Sequence, residues 1–461
     1  MFLRYLFFGW LMISSLVFQA QEPVPYGVGA VVDSVFLKGQ TTESFALYLP
    51  SVYDPQLPMP AFFIFDPAAR GRLAAETFQK AAESHGWVLI ASNDSRNGPY
   101  EQNFGQANRL FADVFSRFKI DADHIYVAGF SGGARLATTL AVLSDQIRGV
   151  IACGAAFSAN PGQIPAPGAA FSYVGVVGTR DMNYQEMRKA GDWLAKIGLP
   201  HRIFLFDGRH QWPPEDQIRR AVSWMSFQTG AASPESRPDL FRNYFEGEKS
   251  LADSLYRQGR YFESAEEYQK LIDVFGGSFP MDSTWERLSR IRALKDYSTQ
   301  AKVIKGLGEI EAALRKRFSD RFRKELEESP KPDDFSWWKR EKARLDSRYA
   351  ASDIKEEKDL AARIYNFLFT MPYEASNRRR RKNQFEASRY CARLLTVLFP
   401  ENTHAQVRLA EEYALIDKPG EMITCLKRAR KMGYSDVSAI LENPIFRPYK
   451  NLGDFPFRSG G

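Results

Sequence analysis

As far as residue 230 the chain alternates short, nearly unbroken apolar runs with amphipathic stretches. The apolar runs lie at 31–37, 42–49, 61–65, 87–91, 125–128, 149–153, 173–177 and 202–206. They are short and rich in Val, Ile, Phe and Tyr, as buried strands are. Between most of them, residues 73–84, 102–118, 134–144, 185–197 and 216–227 repeat apolar positions at helical spacing. Strands alternating with helices predict an α/β fold, a mostly parallel sheet covered on both faces. The first two strands follow each other with no helix between and are expected to form an antiparallel edge.

The pattern changes after Pro234 to Pro238. Beyond that point the strand signature disappears, and apolar residues recur at i, i+3 and i+4 on otherwise polar stretches. This predicts an α/β domain over 24–230 followed by an all-α domain over 239–461. In the second region one stretch falls into a tetratricopeptide-like register, with Leu251, Ala252, Leu255, Gly259, Ser264, Tyr268 and Leu271 at packing positions. Leu409, Ala410, Tyr413, Met422, Leu426 and Ala429 form a second such unit with one residue inserted, and Ala387 and Leu394 mark a helix before it. Long, highly charged helices lie between the two units, broken at Ser329-Pro330-Lys331-Pro332.

Composition and charge refine this picture. With 461 residues, two or more domains are expected. Met1 to Arg4 and the apolar run ending in Val17-Phe18-Gln19-Ala20 predict a signal peptide over 1–20, cleaved after Ala20. An uncleaved membrane anchor is the alternative. No later run is long and apolar enough to span a bilayer, so the mature protein is expected in the periplasm or outside the cell. Cys153, Cys391 and Cys425 are too few for a disulfide framework, and the five scattered histidines lack metal-ligand spacing. From residue 231 onward there are 43 lysines and arginines against 36 acidic residues, so the whole net charge of +7 lies there. The densest run, Arg378 to Lys382, is read as a solvated loop before a helix rather than as an anion-binding patch, and no nucleic-acid partner is expected.

Residues 125–128 run directly into Gly129-Phe130-Ser131-Gly132-Gly133. A strand, then G-x-S-x-G, then a helix is the arrangement that turns a serine out at the top of a sheet, and Ser131 is therefore the candidate nucleophile. A serine hydroxyl needs a histidine to take its proton and an acid to orient that histidine. The strand 173–177 ends in Gly178-Thr179-Arg180-Asp181, and the strand 202–206 ends in Asp207-Gly208-Arg209-His210. Asp181 is the candidate acid, with Asp207 its competitor, and His210 the candidate base. His85 and His124 precede the serine, His201 lies at the opposite end of its strand, and His404 lies in the helical half. A tetrahedral intermediate requires two oxyanion donors. The backbone N–H of Gly132 is expected to be one. The other is expected from the loop after 61–65, at Ala68, because Pro67 has no N–H. Arg70 either meets an anionic group of the substrate or pairs with Asp66, and Trp212 is a further candidate substrate contact.

With these residues assembled, the first half resembles the α/β-hydrolase superfamily, in its feruloyl esterase and polyhydroxybutyrate depolymerase-like branch. The resemblance rests on Ala128 to Ala134, on Gly178 to Asp181, and on Arg209-His210-Gln211-Trp212-Pro213, and it covers about residues 40–230. It implies carboxylic ester hydrolysis through an acyl-enzyme, without a cofactor. Two positions depart from the branch: Arg209 replaces the usual Gly before the histidine, and Asp66-Pro67 replaces the usual His-Gly after the third strand. Only 49 residues separate Ser131 from Asp181, too few for a large lid domain, so an open site able to admit a bulky or polymer-attached ester is expected. The helical half resembles tetratricopeptide-type repeats, which implies a protein or peptide partner. The competing functions are a serine peptidase on the same fold and an interaction scaffold with an inactive hydrolase-like half.

Overall fold

The computed structural model describes residues 26–328, 331 and 334–457. The expected signal segment 1–20 lies outside the described residues, as does the break at 329–332 apart from Lys331. The chain divides into two compact units, one ending at Lys302 and the other beginning at Val303.

The first unit is built on eight strands: β1 (Val31–Phe36), β2 (Ser44–Tyr48), β3 (Met59–Phe65), β4 (Val88–Ser92), β5 (Ile120–Phe130), β6 (Ile147–Cys153), β7 (Ser172–Gly178) and β8 (His201–Phe206). They form one sheet in the order β1-β2-β4-β3-β5-β6-β7-β8. β1 and β2 pair antiparallel, β2 pairs antiparallel with β4, and every pairing from β4 to β8 is parallel. This is the α/β-hydrolase fold, and the antiparallel edge lies where the missing helix between the first two strands requires it.

Alternation along the strands decides what each face buries. Phe62, Ile64, Tyr126, Ala128, Val174 and Val176 point to one side, where they pack on helices α1 (Gly71–His85) and α5 (Glu215–Gln228). Phe63, Phe65, Val127, Val150 and Ala152 point to the other, against α2 (Tyr100–Arg117), α3 (Gly132–Leu143) and α4 (Tyr184–Lys196). Both faces of the central strands are covered, which is why their sequences read as continuous apolar runs rather than alternating ones.

Three further helices, α6 (Pro238–Arg257), α7 (Tyr261–Phe275) and α8 (Asp282–Arg292), belong to the same core as α1 and α5, through Phe241, Tyr244, Leu271, Phe275 and Leu288. Arg220 of α5 binds Glu248 of α6 and Glu267 of α7 and lies over the Phe204 ring of β8. Helices that read in sequence as a separate region thus complete the first unit.

The boundary between the units falls inside α9 (Lys295–Glu327). The second unit is all-helical and continues with α10 (Ser336–Leu345), α11 (Lys355–Arg381), α12 (Phe385–Leu398), α13 (Thr403–Leu415), α14 (Pro419–Lys431) and α15 (Val437–Glu442). It holds two apolar clusters, one around Phe318, Trp338, Leu360 and Leu394, the other around Ala410, Met422, Leu426 and Phe446. Its buried charges are paired: Glu311 with Arg363 at 2.8 Å, and Glu412 with Arg380. The basic run Arg378 to Arg381 is helical rather than a loop and forms the last turn of α11. Arginine is a good helix former, and positive charge is favoured at a helix C-terminus.

Candidate active site

Parallel strands end at a common edge, and loops there are brought together however far apart they lie in sequence. The loops after β3, β5, β7 and β8 meet in this way.

Ser131 follows β5 and caps α3 with φ 52° and ψ −117°, a backbone state that a non-glycine residue holds only under local constraint. Two features impose the constraint. The Ser131 N–H donates to the carbonyl of Cys153 on β6 at 2.8 Å. Helix α3 also starts so close to the sheet that a Cβ on Gly133 would lie 2.0 Å from the Phe65 carbonyl oxygen, and one on Gly129 2.4 Å from Gly133. The glycines of the motif are required by close approach. Gly132 opens α3, so its N–H has no partner within the helix.

His210, in the loop between β8 and α5, has its Nε2 at 2.9 Å from Ser131 Oγ. Its Nδ1 lies 2.9 Å from Asp181 Oδ2 and 3.0 Å from Oδ1. Asp181 is fully buried, and its Oδ1 also accepts the Asn183 N–H at 2.8 Å. The Phe130 ring lies against the imidazole, with centroids 4.7 Å apart. Asp207, the competing acid, is bound instead by Arg180 at 2.8 Å. Of the other histidines, His85 is buried beside Ser223, His124 contacts Asp121, and His201 contacts the Leu199 carbonyl.

The loop after β3 is organised by Asp66, which is fully buried. Its Oδ1 accepts the Ala68 N–H at 2.8 Å and Arg70 Nε at 2.9 Å. Its Oδ2 accepts a second guanidinium N–H of Arg70 and the Trp212 Nε1–H, both at 2.8 Å. Arg70 therefore pairs with Asp66. The Ala68 N–H, expected to point at an oxyanion, is engaged by this carboxylate. Trp212 is latched across the site, its ring packed between Phe130 and Phe78. Sequence reasoning gives the Arg70–Asp66 pair as one of two equal readings and misses Asp66 as a hub of four donors. The available signal was an acidic residue directly at a buried strand's end, where an unpaired charge would be untenable.

Among the described residues no group of three or more His, Cys, Asp or Glu side chains is placed to hold a metal ion.

No family model matches the chain. No curated protein matches it in sequence. Among solved structures it is similar to S-formylglutathione hydrolase from Staphylococcus aureus, at 17% identity over 44% of this chain and 99% of that one, with TM-score 0.35. It is also similar to the feruloyl esterase module from Clostridium thermocellum, at 16% identity over 42% of this chain and 86% of that one, TM-score 0.33. An esterase from Pyrobaculum calidifontis is similar at 14% identity, over 44% of this chain and 86% of that one, TM-score 0.35.

Proposed function

We propose that this protein is an exported serine hydrolase that cleaves carboxylic esters through an acyl-enzyme on Ser131. The observation that carries the reading is the unbroken chain of contacts Ser131 Oγ to His210 Nε2 and His210 Nδ1 to Asp181, each about 2.9 Å long.

In this reading Asp181 accepts the Nδ1–H of His210, which leaves the Nε2 lone pair facing Ser131. As Oγ attacks the ester carbonyl, Nε2 takes its proton, and the carbonyl π electrons move onto oxygen. The Gly132 N–H stabilises that oxyanion. Collapse breaks the bond to the alkoxy oxygen, which leaves with the proton from Nε2. Water then attacks the acyl-enzyme by the same steps in reverse order, giving the acid and free Ser131. The strain at Ser131 supports the assignment, because a backbone held in that state presents Oγ clear of the sheet.

Between Ser131 and Asp181 the chain holds α3, β6, a short 3-10 turn at Pro161–Gln163 and β7. The compactness of this stretch supports an open site and an ester that is bulky or polymer-attached. Export rests on the N-terminal sequence signature alone, and a protein or peptide partner for the helical region on its repeat-like sequence register alone.

The test is covalent labelling of the full mature chain with a fluorophosphonate, beside Ser131→Ala, followed by a screen of aryl, feruloyl and polyester substrates. Labelling of the parent and none of the variant is expected, with turnover of esters. Labelling with cleavage of peptides but not esters would turn the reading to a peptidase. No labelling of the parent would sink it.

A further inference from the structure

A tetrahedral intermediate with a single donor is poorly stabilised, and removing one of two donors is a large loss. The loop after β3, the expected source of the second donor, has Pro67 without an N–H, the Ala68 N–H bound to Asp66 Oδ1 at 2.8 Å, and the Ala69 N–H bound to the Asp66 carbonyl at 3.2 Å. The start of this loop is thus closed on itself.

A second loop reaches the same place. Residues 93–99, after β4, are stitched to the β3 loop by the backbone: the Asn97 N–H donates to the Pro67 carbonyl at 2.9 Å, and Ala68 bridges Arg96 in antiparallel sense. The Asn97 side chain then lies over Gly132. A Cβ built on Gly132 would be 1.8 Å from Asn97 Oδ1 and 3.6 Å from Nδ2. The carboxamide rests against the residue whose N–H is the first proposed donor. Asn97 is exposed, and its carboxamide makes no hydrogen bond to the described residues. Rotation by 180° about χ2 exchanges oxygen and nitrogen with almost no change in shape and turns the NH2 group to the Gly132 side.

We propose that the Asn97 carboxamide is the second oxyanion donor, with Nδ2–H acting beside the Gly132 N–H in place of the β3-loop backbone. The assignment rests on the reading of Ser131 as nucleophile. A neutral amide suits the role, because it donates without titrating and its other end is a weak acceptor that turns away as charge develops. It also gives the close approach of Asn97 a consequence: any side chain at position 132 would push the carboxamide out of place.

The experiment compares the parent chain with Ser131→Ala, Asn97→Ala and the isosteric Asn97→Asp, using an aryl acetate for kcat and KM, the fluorophosphonate for labelling and a thermal melt for folding. Asn97→Ala is expected to melt with the parent and still to label at Ser131, more slowly. Its kcat should fall on the order of 100-fold or more with KM little changed. Asn97→Asp should fall at least as far, since it replaces a donor by an anion. A parent that labels while Asn97→Ala keeps its kcat, or loses only in KM, overturns the Asn97 assignment and leaves the serine hydrolase reading standing. A parent that neither labels nor turns over ester overturns both.

Discussion

Asp66 shows how one residue can hold a site together without touching the reacting atoms. It is fully buried and accepts from Ala68, Trp212 and two nitrogens of Arg70. Asp66→Ala would take the shared acceptor from the part-buried N–H groups of Ala68, Arg70 and Trp212, at roughly 1 kcal/mol for each hydrogen bond lost. The expected result is a loss of about 2–4 kcal/mol in a denaturant titration, together with slower labelling at Ser131 as Trp212 loosens. His85 governs a different property. Burial, with the charge of Arg237 as a smaller cause, pushes its pKa down from 6.5 to about 4. Between those values the unfolded chain holds a proton on this histidine that the folded chain does not, so stability rises with pH across the window and is lost as pH falls from 6.5 towards 4. His85→Asn is expected to flatten that slope, as read by denaturant midpoints across the same window. The two residues also differ in legibility. Ser131, Asp181 and His210 stand directly after apolar runs, and their order along the chain is itself a signal. The Trp212 contact of Asp66 and the place of Asn97 depend on which loops meet at the sheet edge, and no spacing along the chain encodes that.

Among the elements, the turn from β5 into α3 is the most constrained. Gly133 has the Phe65 backbone against it, and backbone cannot move aside as a flexible side chain would. Gly133→Ala is expected to destabilise the first unit by about 3 kcal/mol or more, or to leave it insoluble, as judged by soluble yield and thermal melting. The requirement was visible beforehand as G-x-S-x-G between a strand and a helix. The end of α11 was read differently from what forms there. A run of four arginines resembles a loop when only its charge is weighed, whereas in the structure the helix continues through it and Arg380 turns inward to Glu411 and Glu412. The helices after residue 238 were legible as helices because their apolar positions recur every three to four residues. Of the positions expected to pack, Ala252, Leu255, Ser264, Tyr268 and Leu271 are buried, whereas Leu251 and Gly259 are only half-buried.

For the molecule as a whole, the point of interest is how much of the chain builds the unit that carries Ser131. Helices α6 to α8 share its core, and Arg220 ties α5 to two of them through nearly buried carboxylates. Removing one partner from such a group leaves buried charge uncompensated. Arg220→Ala is expected to lower the stability of the first unit by about 3–5 kcal/mol, measured by denaturant unfolding, while the fraction that remains folded still labels at Ser131. Among the described residues no helix is long and apolar enough to cross a membrane.

Periodicity, strand-end residues and glycine placement were enough to read off the alternating α/β half, its antiparallel edge, the helical remainder and the order Ser131, Asp181, His210. These are local properties: burial on one or both faces dictates the repeat, and a sharp turn dictates small residues. The extent of the first unit, the latching of Trp212 to Asp66 and the approach of Asn97 to Gly132 arise from contacts between segments far apart in sequence. Such contacts are selected by shape and by the need to pair every buried polar group once the chain is packed, and that need leaves no periodic trace along the sequence.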